Sequence, residues 1–192
     1  AQYMPVVFDK VYGDKNQVQL VCPLPGDEVA IVGKEGQKYN LTWIEREGNV
    51  VFSLSLMGFT VVNEIVELDN NRVLVVGQST MQHVKGRKGK ITLCGRVVVI
   101  ERNGRIVTDI YAGDQGSNFL KGMLLRSGAF VVSGSEPKGV DGRQGILLKL
   151  DPTGSVVYQY KNAGGGYCDQ FAVMGNSIEY ICAAFSAGKD KE

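Results

Sequence analysis

Ile146-Leu147-Leu148-Lys149-Leu150-Asp151-Pro152-Thr153-Gly154-Ser155-Val156-Val157-Tyr158-Gln159-Tyr160 is the stretch that decides the fold. An apolar run of five residues, a turn and a β-branched, aromatic run predict two short antiparallel strands. Proline presets φ in the turn and Gly154 tolerates a positive one. Downstream, Gly164-Gly165-Gly166 breaks the chain. A third strand follows over Gln170 to Met174, then a Gly175-Asn176 turn, then a fourth over Ile178 to Phe185.

The same order recurs upstream. Arg96 to Ile100, the turn Glu101-Arg102-Asn103-Gly104, Ile106 to Tyr111, a break at Gly113 to Gly116, Leu120 to Leu125 and Ala129 to Val132 make one copy. Leu41 to Ile44, Glu45 to Gly48, Val50 to Leu56, Gly58, Val61 to Leu68 and Val73 to Val76 make another. In the latter, Val61 to Leu68 has spacing that would also suit a short helix, and its place in the repeat makes it a strand. The first copy holds Val6 to Tyr12, Val18 to Cys22 and Val29 to Val32, standing for the second, third and fourth strands, and lacks the first. Gly33, Gly77 and Gly134 close the fourth strands, with Ala183 nearest in the last copy.

About four copies of a four-stranded unit of roughly 50 residues predict an all-β β-propeller or partial propeller, its first blade incomplete. The expected blades are 1–38, 39–90, 91–145 and 146–192, within a single domain over residues 1–192. The 25 glycines among 192 residues are nearly twice the usual share of about 7%. They fall at the ends of apolar runs, where tight turns need them.

The repeat resembles secreted bacterial β-propeller repeats, whose unit reads roughly Lys-Leu-Asp-x-x-Gly, then Lys-x-Tyr-Gly, then Gly-x-x-Val-x-Gly. Lys149-Leu150-Asp151-Pro152-Thr153-Gly154 matches its start. Asp9-Lys10-Val11-Tyr12-Gly13 and Val29-Ala30-Ile31-Val32-Gly33 match its middle and end. The resemblance implies a propeller and often an exported protein. It names no ligand, because the matching residues are turn and packing residues. In that family a late strand commonly completes the first blade. Ser186 to Glu192 does not read as such a strand, so a longer chain, closure without a clasp, or pairing of the open edge with another chain all remain open.

Lys plus Arg number 21 and Asp plus Glu 20. That balance gives no global attraction to nucleic acid or anionic lipid, and no apolar run has the length of a membrane span. Ala1-Gln2 at the start, without Met, points to a secreted, periplasmic or cell-surface protein or to a fragment. One His and no C-x-x-C pair argue against a metal site, and no cofactor motif is present. Cys22, Cys94 and Cys182 read as buried thiols; a Cys168–Cys182 disulfide is the one bridge that neighbouring strands could form.

The loops leaving the fourth strands are expected on one face. They carry Lys34, Lys38, Lys85, Arg87, Lys88, Lys90, Lys138, Arg143, Lys189 and Lys191 against five acids. The ligand-binding candidates are Lys85, Arg87, Lys88, Lys90, Lys138 and Arg143, facing a protein or an anionic glycan. The competing reading is a solvated face. Lys85 to Lys90 fails the phosphate-loop pattern.

Catalytic candidates are few. His83 is the sole His, and no nucleophile elbow accompanies it. Asp114 and Asp169 sit in breaks before third strands and could face a central channel as an acid pair, with Asp14 similar. Asp151, Glu45 and Glu101 share one repeat position and read as turn formers. Trp43 reads as core, or as a sugar platform with Tyr39 and Tyr167. The function these residues favour is a non-catalytic binding or scaffold module. The alternative is a glycan-active enzyme, a hydrolase or lyase.

Overall fold

The computed structural model describes residues 17–69, 71–82, 91–138, 142–161, 167–174 and 180–186, the last two stretches as backbone. Four strands make the first sheet: β1 (Gln17–Leu24), β2 (Glu28–Glu35), β3 (Lys38–Ile44) and β4 (Val50–Ser55). The second sheet holds β5 (Phe59–Asp69), β6 (Arg72–Gln82), β7 (Ile91–Glu101) and β8 (Ile106–Ala112). The third holds β9 (Asn118–Leu124), β10 (Phe130–Lys138), β11 (Gly142–Leu150) and β12 (Val156–Lys161). β13 (Tyr167–Met174) and β14 (Tyr180–Ser186) form a two-stranded sheet among the described residues. Every neighbouring pair is antiparallel and follows chain order.

Among the described residues the strands are those expected, and Val61 to Leu68 is strand. The sheets, however, are cut two strands away from the expected blade boundaries. Leu41 pairs with both Val32 and Leu54, so the expected break at 38/39 falls inside a sheet. A periodic sequence shows the order of strands but not where one sheet ends, and hydrogen bonding decides that. Among the described residues the first sheet has four strands. Val6 to Tyr12 lies outside the described residues.

The first strands of successive sheets lie side by side: β5 packs against β1 and β9, and β9 against β13. The sheets thus radiate from one line of inner strands. This radial arrangement of four-stranded meanders is that of a β-propeller.

Packing follows the period of two. Val73, Val75, Val98 and Ile100 of the second sheet meet Val32, Leu41 and Trp43 of the first. Their alternates Leu74, Val76, Val97 and Val99 meet Phe119, Phe130, Ile146 and Leu148 of the third. Covered on both faces, β6 and β7 can be continuously apolar. Outermost β12, exposed at every residue, cannot draw on that burial.

One end of the sheets carries tight turns built alike. Gly48, Gly104, Gly128 and Gly154 donate N–H to the carbonyls of Glu45, Glu101, Leu125 and Asp151 at 2.8, 2.8, 2.9 and 2.9 Å. Asp151 also accepts the N–H groups of Thr153 and Ser155, both at 2.9 Å. Glu45 and Glu101, one methylene longer, bond instead to the side chains of Asn49 and Arg105.

Candidate functional site

Strand alternation places the segments 36–37, 56–58 and 113–117 at the opposite end, here called the loop end. Of the expected basic loops, 36–37 joins two paired strands of one sheet, and the strands flanking the next two, β6 with β7 and β10 with β11, likewise pair within a sheet. His83, Lys85, Arg87, Lys88 and Lys90 lie outside the described residues, as does Asp14.

Arg143, expected to bind a ligand, has a structural part. Its Nε donates to Ser135 Oγ at 2.9 Å, and its Nη2 donates to the carbonyls of Ser135 and Gly116 at 3.1 Å each. The guanidinium thus ties the β10–β11 hairpin to the connection before β9, because its fork suits several acceptors at once. Lys138, the residue before that hairpin, is exposed.

Asp114 is engaged in an ion pair. Its carboxylate lies 3.3 Å from Lys161 Nζ, which in turn lies 2.6 Å from Glu136. Glu136 is fully buried. It accepts the Asp114 N–H at 3.0 Å and the Gln144 amide at 2.7 Å. The Glu136 hydrogen bond foremost, and that of Asp114, hold the Lys161 ammonium above its usual range. Glu136 entered the sequence reading only as one of five loop acids. Its signal was its phase: it follows Phe130 and Val132 by even steps along β10, on the face that packs against the second sheet.

Asp169 falls where the β13–β14 register shifts between Cys168 and Gln170. Asn63 is its counterpart at the β5 shift, and there it donates to Asn118 Oδ1 at 2.7 Å and the Phe119 carbonyl at 2.6 Å. The acid therefore sits at a bulge of an inner strand, one sheet on from Asp114.

A second cluster has no sequence forerunner. Arg96, nearly buried, forms two 2.8 Å bonds to Asp109 and lies between the rings of Phe59 and Tyr111, 4.8 and 5.0 Å from their centroids. Its Nη1 also donates to the Met57 carbonyl. The residues come from β5, β7, β8 and a connection, so their meeting is tertiary.

Trp43 is core, fully buried, with Nε1 donating 2.6 Å to Glu28; it offers no sugar platform. Cys22 and Cys94 are buried free thiols, each pushed up by desolvation foremost. The Cys168–Cys182 bridge that neighbouring strands could have formed is excluded by register. Cys168 pairs with Phe185 and Cys182 with Ala172, so the Cα atoms stand roughly 10 Å or more apart, beyond bridging range. Among the described residues no helix is long and apolar enough to cross a membrane, and no cluster of three or more His, Cys, Asp or Glu could hold a metal.

At the turn end, an open groove of 1010 Å³ runs past Asp69, Arg72, Glu101, Arg102 and Asn103. Its charges pair locally, Arg72 with Asp69 and Arg102 with Glu28, both at 2.6 Å.

The geometry defines a propeller-class repeat protein. No protein-family model matches the chain, and no curated protein does. Among solved structures it is similar to "A subtype N10 neuraminidase-like protein of A/little yellow-shouldered bat/Guatemala/060/2010". The identity is 12% and the TM-score 0.48, over 87% of this chain and 51% of that one. The chain thus spans about half the length of the solved chain it matches.

Proposed function

We propose that this chain is a non-catalytic binding or scaffold module, extracellular or periplasmic, that contacts an anionic glycan or a protein with its loop end. The observation that carries the reading is the state of the acids there. Asp114 and Glu136 converge on one lysine, and Glu136 has further donors from Gln144 and the Asp114 backbone. Acids engaged in this way brace the scaffold, while the sequence over 83–90 supplies Lys85, Arg87, Lys88 and Lys90 with no acid among them. A one-signed patch attracts polyanions in a salt-dependent manner.

Retention on immobilised dextran sulfate, with uncharged dextran as control, tests it. The parent chain is expected to bind and to elute with added salt. Changing Lys85, Arg87, Lys88 and Lys90 together to Ala is expected to abolish retention. Unchanged retention of that variant would place the contact elsewhere.

A glycan-active enzyme is the second reading, and the position of Asp169 at an inner-strand bulge favours it, since bulges re-aim side chains near active sites. It requires turnover of a glycan that Asp169→Asn abolishes while the fold persists.

A further inference from the structure

A pocket of 350 Å³ opens at the loop end where the core between the first two sheets comes to the surface, lined among others by Lys38, Tyr39, Leu56, Met57 and Phe59. That volume is in the range of small-molecule sites. Its walls are fixed. Leu56 N–H donates to the Tyr39 carbonyl at 2.8 Å, and Thr80 donates to the Gly58 carbonyl through N–H and Oγ1 at 2.9 and 3.3 Å. Arg96 holds the Met57 carbonyl. The turn so pinned projects the Met57 side chain into solvent, 79% exposed, beside apolar walls.

Two polar features of this pocket have no use in the fold. Tyr39 is 6% exposed, yet its phenol has no hydrogen-bond partner among the described residues. A buried hydroxyl without a partner is destabilising, and most buried tyrosines find one. Lys38, exposed on the rim, forms no ion pair among the described residues, and Lys34 stands over the Tyr39 ring, 5.0 Å from its centroid. A phenol O–H and lysine ammonium groups are donors; an acceptor-only group answers them both, and the apolar walls answer an apolar body.

We infer that this pocket binds a small organic acid, a carboxylate on an aromatic or aliphatic body, with Tyr39 and Lys38 donating to the carboxylate and Met57 closing over the apolar part. Met57 suits that task, since its unbranched thioether adapts to an occupant's shape. The inference goes beyond the polyanion reading and uses residues outside 83–90, so the two can fail separately.

The probe is 2-naphthoate, with the neutral isostere 2-naphthamide as control, titrated into the full chain and followed by calorimetry and ligand-observed NMR. Naphthoate is expected to saturate one site with a dissociation constant of about 1 mM or tighter. Naphthamide is expected roughly tenfold weaker, because it forfeits the charge-assisted bonds. Tyr39→Phe and Lys38→Ala should each weaken naphthoate roughly fivefold. Tyr39→Phe should leave the ligand-free thermal midpoint unchanged or raised, since it removes a hydroxyl that has no partner among the described residues. The inference is overturned by equal binding of acid and amide, by no saturation up to about 10 mM, by undiminished binding to Tyr39→Phe, or by a lowered midpoint in that variant.

Discussion

Glu136 and Glu28 are both held by cations, yet burial separates what each contributes. Glu136 is fully enclosed and satisfies three donors, so its removal strands Gln144 and the Asp114 N–H and leaves Lys161 with the exposed Asp114 alone. Glu136→Leu is expected to lower unfolding free energy by about 3 kcal/mol, and Glu136→Gln by about half that, read from urea midpoints. Glu28 bridges Arg102 and the Trp43 indole. The Arg102 hydrogen bond foremost holds its carboxyl below the ordinary value of 4.5. A carboxyl depressed in the folded state stabilises above its unfolded pKa, and that contribution fades as pH falls through the folded one. Glu28→Gln is therefore expected to flatten the loss of stability below pH 4.5, with little change in slope above it, as measured by denaturation at stepped pH.

Within each sheet, one device recurs between the inner strand and its neighbour. Gly33 pairs with Val18, Gly77 with Val62 and Gly134 with Phe119, and in each case the inner strand gains a bulged residue at that point. A Cβ on Gly77 or Gly134 would lie 2.0 Å from the carbonyl oxygen of Val61 or Asn118. Backbone cannot yield as a side-chain tip can, so Gly77→Ala and Gly134→Ala are each expected to cost more than about 3 kcal/mol or to prevent folding. Gly36, with φ of 58° and nothing within 4 Å of a new Cβ, supplies the contrast. Gly36→Asn should cost less than about 1 kcal/mol, since Asn accepts the left-handed region. Thermal midpoints of the three variants check the ordering. In the fourth sheet the same register position falls at Phe185, two residues beyond the Ala183 that sequence spacing suggested.

At the scale of the molecule, the third sheet ends on a strand whose two faces are open. Val156, Val157, Tyr158 and Tyr160 of β12 are 47, 58, 45 and 54% exposed, and among the described residues β12 pairs with β11 alone. An apolar edge without proline or bulging charge is a template for another strand. Light scattering of the chain is expected to give a mass that rises with concentration above 20.8 kDa. Val157→Lys should return it towards that value, whereas a monomer of the parent at every concentration would remove β12 as an interface.

The sequence by itself determined the strands, their turns and their order. Each rests on local rules: glycine at positive φ, β-branched runs, alternation of burial. It marked Asp151 as a turn former and Trp43 as a core candidate, both from their place in the repeat. It left undetermined where one sheet stops, since a repeat has no intrinsic origin and only pairing of Leu41 with both Val32 and Leu54 supplies one. The pairings of Glu136 with Lys161, of Arg96 with Phe59, Tyr111 and Asp109, and of Tyr39 with a pocket wall were also beyond it. These join residues from different strands or connections, and their meeting depends on how sheets stack. Tertiary structure decided them because burial and hydrogen-bond satisfaction are properties of neighbours in space, which chain order does not name.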